Sequence, residues 1–141
     1  MNISARNIFK GAITSIAKGA VNAEVTISLT SGAPIVSTVT IGAVERLGLK
    51  EGIEASAIIK ASTIILGTDL HDAKVSARNI LCGTITRLID GPVSCEVDLE
   101  IGGGETLSAV ITHGSAKNLG LAEGGHACAI FKASSVIIGV E

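Results

Sequence analysis

The segment Ser-Ala-Arg-Asn-Ile at Ser4–Ile8 returns unchanged at Ser76–Ile80, and an ungapped offset of 72 residues carries much of the chain onto itself. Gly11 falls on Gly83, Glu24-Val25 on Glu96-Val97, Thr40 on Thr112, Leu47-Gly48-Leu49 on Leu119-Gly120-Leu121, and Lys60-Ala61-Ser62 on Lys132-Ala133-Ser134. Self-similarity at a fixed period means one small unit used twice. The predicted organisation is a first domain over 1–67, a polar linker over 68–74 (TDLHDAK) and a second domain over 75–141. A unit of about 65 residues buries only about 60 % of its unfolded surface. With two Phe and no Trp or Tyr in the chain, the core must be aliphatic, and each copy is expected to lean on another, within or between chains.

Each copy reads as mainly β. Val21, Ala23, Val25, Ile27 and Leu29 alternate with Asn22, Glu24, Thr26 and Ser28, the period-2 pattern of a strand with one buried face. A turn at Ser31-Gly32, with Pro34 opening the next run, leads into a strand over 35–39, and Gly102-Gly103-Gly104 marks the matching turn in the second copy. Ala43, Val44 and Leu47 form one apolar side of a short helix that stops near Gly48. Further strands are predicted over 8–16, 55–59 and 63–66. The order β-β-β-α-β-β is that of a five-stranded OB-type barrel with its helix between strands three and four. The predicted fold is therefore mainly β: two tandem OB-like barrels, each with one short helix.

Several function classes drop out. The 11 basic and 13 acidic residues leave a net charge of −2, so no positive field gathers polyanions and nucleic acid is not an expected partner. An OB-fold module for single-stranded nucleic acid, which needs a basic groove and stacking aromatics, is the competing reading, beside a purely structural oligomerisation domain. No apolar run reaches the roughly 20 residues of a membrane span, and the first residues lack the order of a signal peptide; a cytoplasmic location without a membrane partner is expected. Cys82, Cys95 and Cys128 are odd in number and show no C-x-x-C spacing, so neither a disulfide framework nor a zinc site is expected. His71, His113 and His126 occupy positions that do not recur between copies, and no G-x-S-x-G, H-E-x-x-H or P-loop is present. The chain is read as no enzyme and as no binder of a bare metal cation.

What does recur is polar and free of acids. Ser4-Ala5-Arg6-Asn7 with Ser76-Ala77-Arg78-Asn79, Thr40 with Thr112, and Lys60-Ala61-Ser62 with Lys132-Ala133-Ser134 are identical, while positions between them vary, as Lys18/Asp90 and Ala33/Glu105 do. A guanidinium, an ammonium, three hydroxyls and accessible main-chain amides form an all-donor set suited to an anion. Without aromatics to stack a base or sugar, a compact tetrahedral oxyanion fits better than a nucleotide. Thr40 also precedes the short helix, whose N-terminal amides favour an anion; the plain alternative for Thr40 and Thr112 is helix N-capping. Lys60 and Lys132 at strand ends have a plain alternative too, carrying their charge to water.

These residues give the sequence its resemblance to the molbindins, the Mop-domain molybdate-binding proteins, in their two-domain form. The matching pattern is S-A-R-N at the start of each copy, G-A-V-N-A-E-V at Gly19–Val25, T-x-x-x-x-x-x-L-G-L from Thr40, and K-A-S after the fourth strand. The resemblance implies an OB-like domain that binds molybdate, and usually tungstate, without catalysis. It implies a homo-oligomer, a trimer, with oxyanions held at domain or subunit interfaces for molybdenum storage and homeostasis. On that analogy Ser4, Ala5, Arg6, Thr40, Lys60, Ala61 and Ser62 form one ligand set, and Ser76, Ala77, Arg78, Thr112, Lys132, Ala133 and Ser134 the other. Gly19, Ala20, Val21 and Asn22 are candidates for a second class of site near a symmetry axis. In the second copy Gly91-Pro92-Val93-Ser94 lacks the amide donor at Pro92 and the side-chain amide of Asn22.

Overall fold

Alternating burial organises the first repeat into an antiparallel sheet. In the computed structural model, which describes residues 1–70 and 72–141, the strands are β1 (Asn7–Lys18), β2 (Asn22–Leu29), β3 (Pro34–Thr40), β4 (Glu54–Ile59) and β5 (Ile65–Gly67), with helix α1 (Ile41–Leu47) between β3 and β4. The second repeat follows the same order: β6 (Asn79–Asp90), β7 (Ser94–Gly102), β8 (Glu105–Thr112), α2 (His113–Asn118), β9 (His126–Phe131) and β10 (Val136–Gly139). The reading of His71 as a linker histidine lies outside the described residues. Along β2 every second residue from Ala23 to Leu29 is buried, as its alternation predicts. Helix α1 starts where Thr40 Oγ1 accepts a hydrogen bond from the Ala43 amide, at 3.1 Å. It stops at Gly48, whose φ of 65° is open to glycine at little cost.

The fold is mainly β, two curled five-stranded sheets in tandem, but each sheet takes its fifth strand from the other repeat. The strand orders are β10-β4-β1-β2-β3 and β5-β9-β6-β7-β8. Where a last strand was predicted over 63–66, the chain makes a 3-10 turn at Ala61–Thr63 and forms β5 only from Ile65. That turn carries β5 over to β9, with Leu66 opposite Ala129, while β10 returns to β4, with Ile138 opposite Ala57. Ile65-Leu66-Gly67 and Ile137-Ile138-Gly139 are near-copies, so either edge accepts either strand and the exchange costs little. The buried side chains accordingly form one cluster that spans both repeats, with Ile13, Ile27, Ile59, Ile85, Leu99 and Phe131 among the largest fully buried members.

A Cβ on Gly11 would overlap the Ser28 carbonyl, and one on Gly83 the Glu100 carbonyl; glycine lets the first strand of each repeat cross close to the second, beside a register shift in each ladder. The absence of a disulfide framework needs a correction, because Cys82 and Cys128 are bridged. They face each other in the β6–β9 ladder, a juxtaposition set by strand register and invisible in a spacing of 46 residues. Cys95 is a buried free thiol, and burial, followed by the Asp90 charge, pushes its pKa up.

The tip of the β7–β8 hairpin meets the β2–β3 loop, where Gly103 lies against the Ser31 main chain. Beside it Glu105 Oε1 is buried without a hydrogen-bond partner. Burial raises this carboxyl above its ordinary value of 4.5, outweighing the opposing effect of the Thr30 amide. A carboxyl with a raised folded pKa binds its proton more tightly when native, so folding is favoured while it is protonated and loses that contribution as pH rises through the folded value. Glu105→Gln is therefore expected to raise the melting temperature at pH 7 by a few degrees and to change it little below pH 4. Equal shifts at both pH values in calorimetric scans would exclude this origin.

Candidate functional site

Strand register brings the repeated basic residues together. Asn7 pairs with Ile59 and Asn79 with Phe131, so Arg6 and Lys60, one step beyond the first pair, stand across two adjacent strand ends, as do Arg78 and Lys132. In the second repeat Ser76, Ala77, Arg78, Lys132, Ala133 and Ser134 line one cavity of about 170 Å³, joined by Thr38 from the first repeat. Thr38 arrives because β3 packs on the 3-10 turn at Ala133–Ser135. The matching contact of β8 with the turn at Ala61–Thr63 places Val110, the counterpart of Thr38, beside the first repeat's set. Each S-A-R segment thus meets the K-A-S segment of its own repeat, under a strand from the other.

Asn7 and Asn79, polar members of the repeated cluster, act as clamps. Asn79 Oδ1 accepts from the Val36 amide and its Nδ2 donates to the Val36 carbonyl, both at 2.8 Å. Asn7 does the same with Ser108, at 2.7 and 2.8 Å, and also donates to the Ile59 carbonyl. Both side chains are buried. Each imitates a strand residue and satisfies the main chain of the other repeat's edge strand.

The arginines are held from across the repeats. Arg6 Nη1 donates to Glu96 Oε1 at 2.7 Å, and Arg78 Nη1 donates to Glu24 Oε2 at 2.5 Å. The hydrogen bond and charge of Glu96 raise the pKa of Arg6, and Arg6 in turn holds Glu96 below the usual carboxylate range. A guanidinium has five N–H donors, so this pairing orients the group and leaves donors for a ligand. Glu24 and Glu96, which hold the two guanidiniums, are residues that sequence reasoning passed over. Their identity between copies was visible, but the alternation along β2 read them as a solvent face. Among the described residues Lys60 and Lys132 form no ion pair, which leaves an ammonium uncommitted in each set.

Other predicted residues lie elsewhere. Thr40 and Thr112 cap α1 and α2, and neither lines the Arg78 cavity. Thr112 instead shares an open cavity with Ser62, Val93 and Ser94, so a threonine of the second repeat stands near the K-A-S serine of the first. Gly19–Asn22 is the β1–β2 turn, closed by the Gly19 amide donating to the Asn22 carbonyl at 2.8 Å, with Val21 71 % exposed. His113 bonds Asp90 at 2.7 Å and belongs to neither donor set.

Duplicated β modules that close on each other bring together, in each repeat, hydroxyls, a guanidinium and an ammonium, a donor set of the kind suited to a small anion. The chain belongs to the TOBE domain family, which matches residues 3–66 and 75–138. It is 42 % identical over 138 residues to the molybdenum-pterin-binding protein MopA of Rhodobacter capsulatus, covering 98 % of this chain and 52 % of MopA. It is 41 % identical over 140 residues to the molybdenum transport protein ModE of Azotobacter vinelandii, covering 99 % of this chain and 52 % of ModE. The chain spans about half the length of these curated relatives. Its structure superimposes on that of the cytoplasmic molybdate-binding protein ModG, crystallised with molybdate bound, with a TM-score of 0.97, 42 % identity and all of both chains covered. The Mop-type resemblance seen in the sequence stands. No helix among the described residues is long and apolar enough to cross a membrane.

Proposed function

We propose that this protein binds molybdate, and tungstate with it, as a cytoplasmic molybdenum store or buffer that performs no catalysis. The observation that carries this reading is the Arg78 cavity, where Ser76, Arg78, Lys132 and Ser134 converge with Ala77 and Ala133. At about 170 Å³ it is well below the roughly 300–1,000 Å³ of sites for drug-sized ligands, a size suited to one tetrahedral oxyanion. The 42 % identity to ModG along the whole chain supports molybdate as that oxyanion. Both phenylalanines, Phe9 and Phe131, are buried, which removes the stacking platform that a nucleic-acid module needs.

The same reading makes the protein a homotrimer with domains over 1–67 and 75–141. Val21 and Val93 are 71 % and 79 % exposed, and Ile65 and Ile137 are both 63 % exposed; each pair is related by the repeat, so both copies offer equivalent apolar residues for burial against further chains. An oxyanion between units cross-links them and stabilises the assembly by mass action. Isothermal titration with molybdate is expected to show binding with little response to sulfate, at a light-scattering mass near three chains and with a melting temperature that rises with ligand. No heat and an unchanged melting curve at millimolar molybdate would reject the reading.

A further inference from the structure

The two donor sets are related by the repeat, yet their surroundings differ, and two of the differences act against an anion at the Arg6 set. The Arg78 cavity is lined by Thr38, whose hydroxyl makes no hydrogen bond among the described residues. Its counterpart beside the Arg6 set is Val110, which replaces that hydroxyl with a methyl. The second difference is Asp98, which stands where the other repeat has Thr26. Asp98 Oδ1 accepts from Ser108 Oγ at 2.7 Å, and Ser108 is the residue whose main chain clamps Asn7, next to Arg6. Its carboxylate therefore leans toward the β8 side, where the Arg6 set docks. Arg87 faces Asp98 from β6, on the far side of β7, and forms no ion pair with it among the described residues. Arg6 accordingly has two carboxylates near it, Glu96 and Asp98, where the equivalent positions beside Arg78 are Glu24 and a threonine.

Both differences act in the same direction on an anion. A neutral hydroxyl donates a hydrogen bond to a charged oxygen, among the stronger bonds a neutral group makes; a valine methyl donates none. The Asp98 carboxylate repels a dianion through a partly solvated path; Arg87, its cross-strand partner, offsets part of that repulsion, so the lost Thr38 hydroxyl carries most of the difference. We infer that each chain carries two unequal oxyanion sites, the Arg78 site tight and the Arg6 site weak, with Thr38 as the residue that sets the difference. This hierarchy rests on the proposed oxyanion-binding function.

Single-site variants of the full chain, titrated calorimetrically with molybdate, separate the two. Arg6→Ala, which retains the Arg78 site, is expected to bind at least about tenfold more tightly than Arg78→Ala, which retains the Arg6 site. Adding the near-isosteric Thr38→Val to Arg6→Ala is expected to erase most of that gap, and adding Val110→Thr to Arg78→Ala to narrow it from the other side. Equal affinities, the reverse order, or a Thr38→Val substitution without effect would overturn the hierarchy while leaving oxyanion binding intact. Failure of the unmodified protein to bind molybdate or tungstate would instead overturn the function on which the hierarchy rests.

Discussion

Replacing both guanidiniums, Arg6→Ala with Arg78→Ala, is expected to weaken molybdate binding at every site by about 100-fold or more. A charge-assisted hydrogen bond to an anion contributes roughly 1.5–3 kcal/mol, and each donor set contains one arginine. The loss has a second part. Glu96 and Glu24 now pair with Arg6 and Arg78; without them, two unneutralised carboxylates would stand beside the ligand. The ligand-free protein should melt almost as before, since exposed ion pairs are worth only about 0–1 kcal/mol. His113→Ala, which removes a residue bonded to Asp90 and outside both donor sets, is expected to change affinity less than about twofold. Equal losses in the two variants, measured by titration calorimetry on samples of matched melting temperature, would reject these roles.

The largest effect on stability is expected at the asparagine next to each arginine. Asn79→Ala leaves the amide and carbonyl of Val36 without partners, and Asn7→Ala does the same to Ser108. Orphaning a buried polar group costs about 1–3 kcal/mol, so each substitution is expected to cost about 2–4 kcal/mol. The two clamps share no partner, so their costs should nearly add. Their sum is then a large part of a typical stability of about 5–15 kcal/mol, and the double variant should lose most of its cooperative unfolding transition. Urea denaturation tests this, and a loss below about 0.5 kcal/mol per substitution would mean that water satisfies the edges of β3 and β8 equally well. Because each clamp joins one repeat's ligand segment to the other repeat's edge strand, the same variants are expected to loosen the anion sites.

How much of this was legible in the chain differs from residue to residue. Thr40 could be read as helix cap or ligand, and the cap reading is the one its bond to the Ala43 amide shows; that bond spans three residues, within reach of local pattern. Glu24 could be seen to recur, but its partner Arg78 is 54 residues away, and nothing in a period-2 strand says which face another repeat will cover. Asn7 sits in a cluster that looked like ligand chemistry throughout, yet its partner Ser108 is 101 residues distant. The Cys82–Cys128 bridge was missed for the same reason, since register, not spacing, makes them neighbours.

The sequence by itself determined the duplication, the order of strands and helices, the caps, and the chemical character of the recurring donor set. These follow from periodicity and residue type, which act over a few neighbours. Tertiary structure alone decided that β5 and β10 change places, that Thr38 closes the Arg78 cavity, and that carboxylates from the opposite repeat hold both arginines. The repeats are so alike at their last strands that each edge would accept its own or the other's; the 3-10 turn that follows β4 decides, by the direction in which it sends the chain.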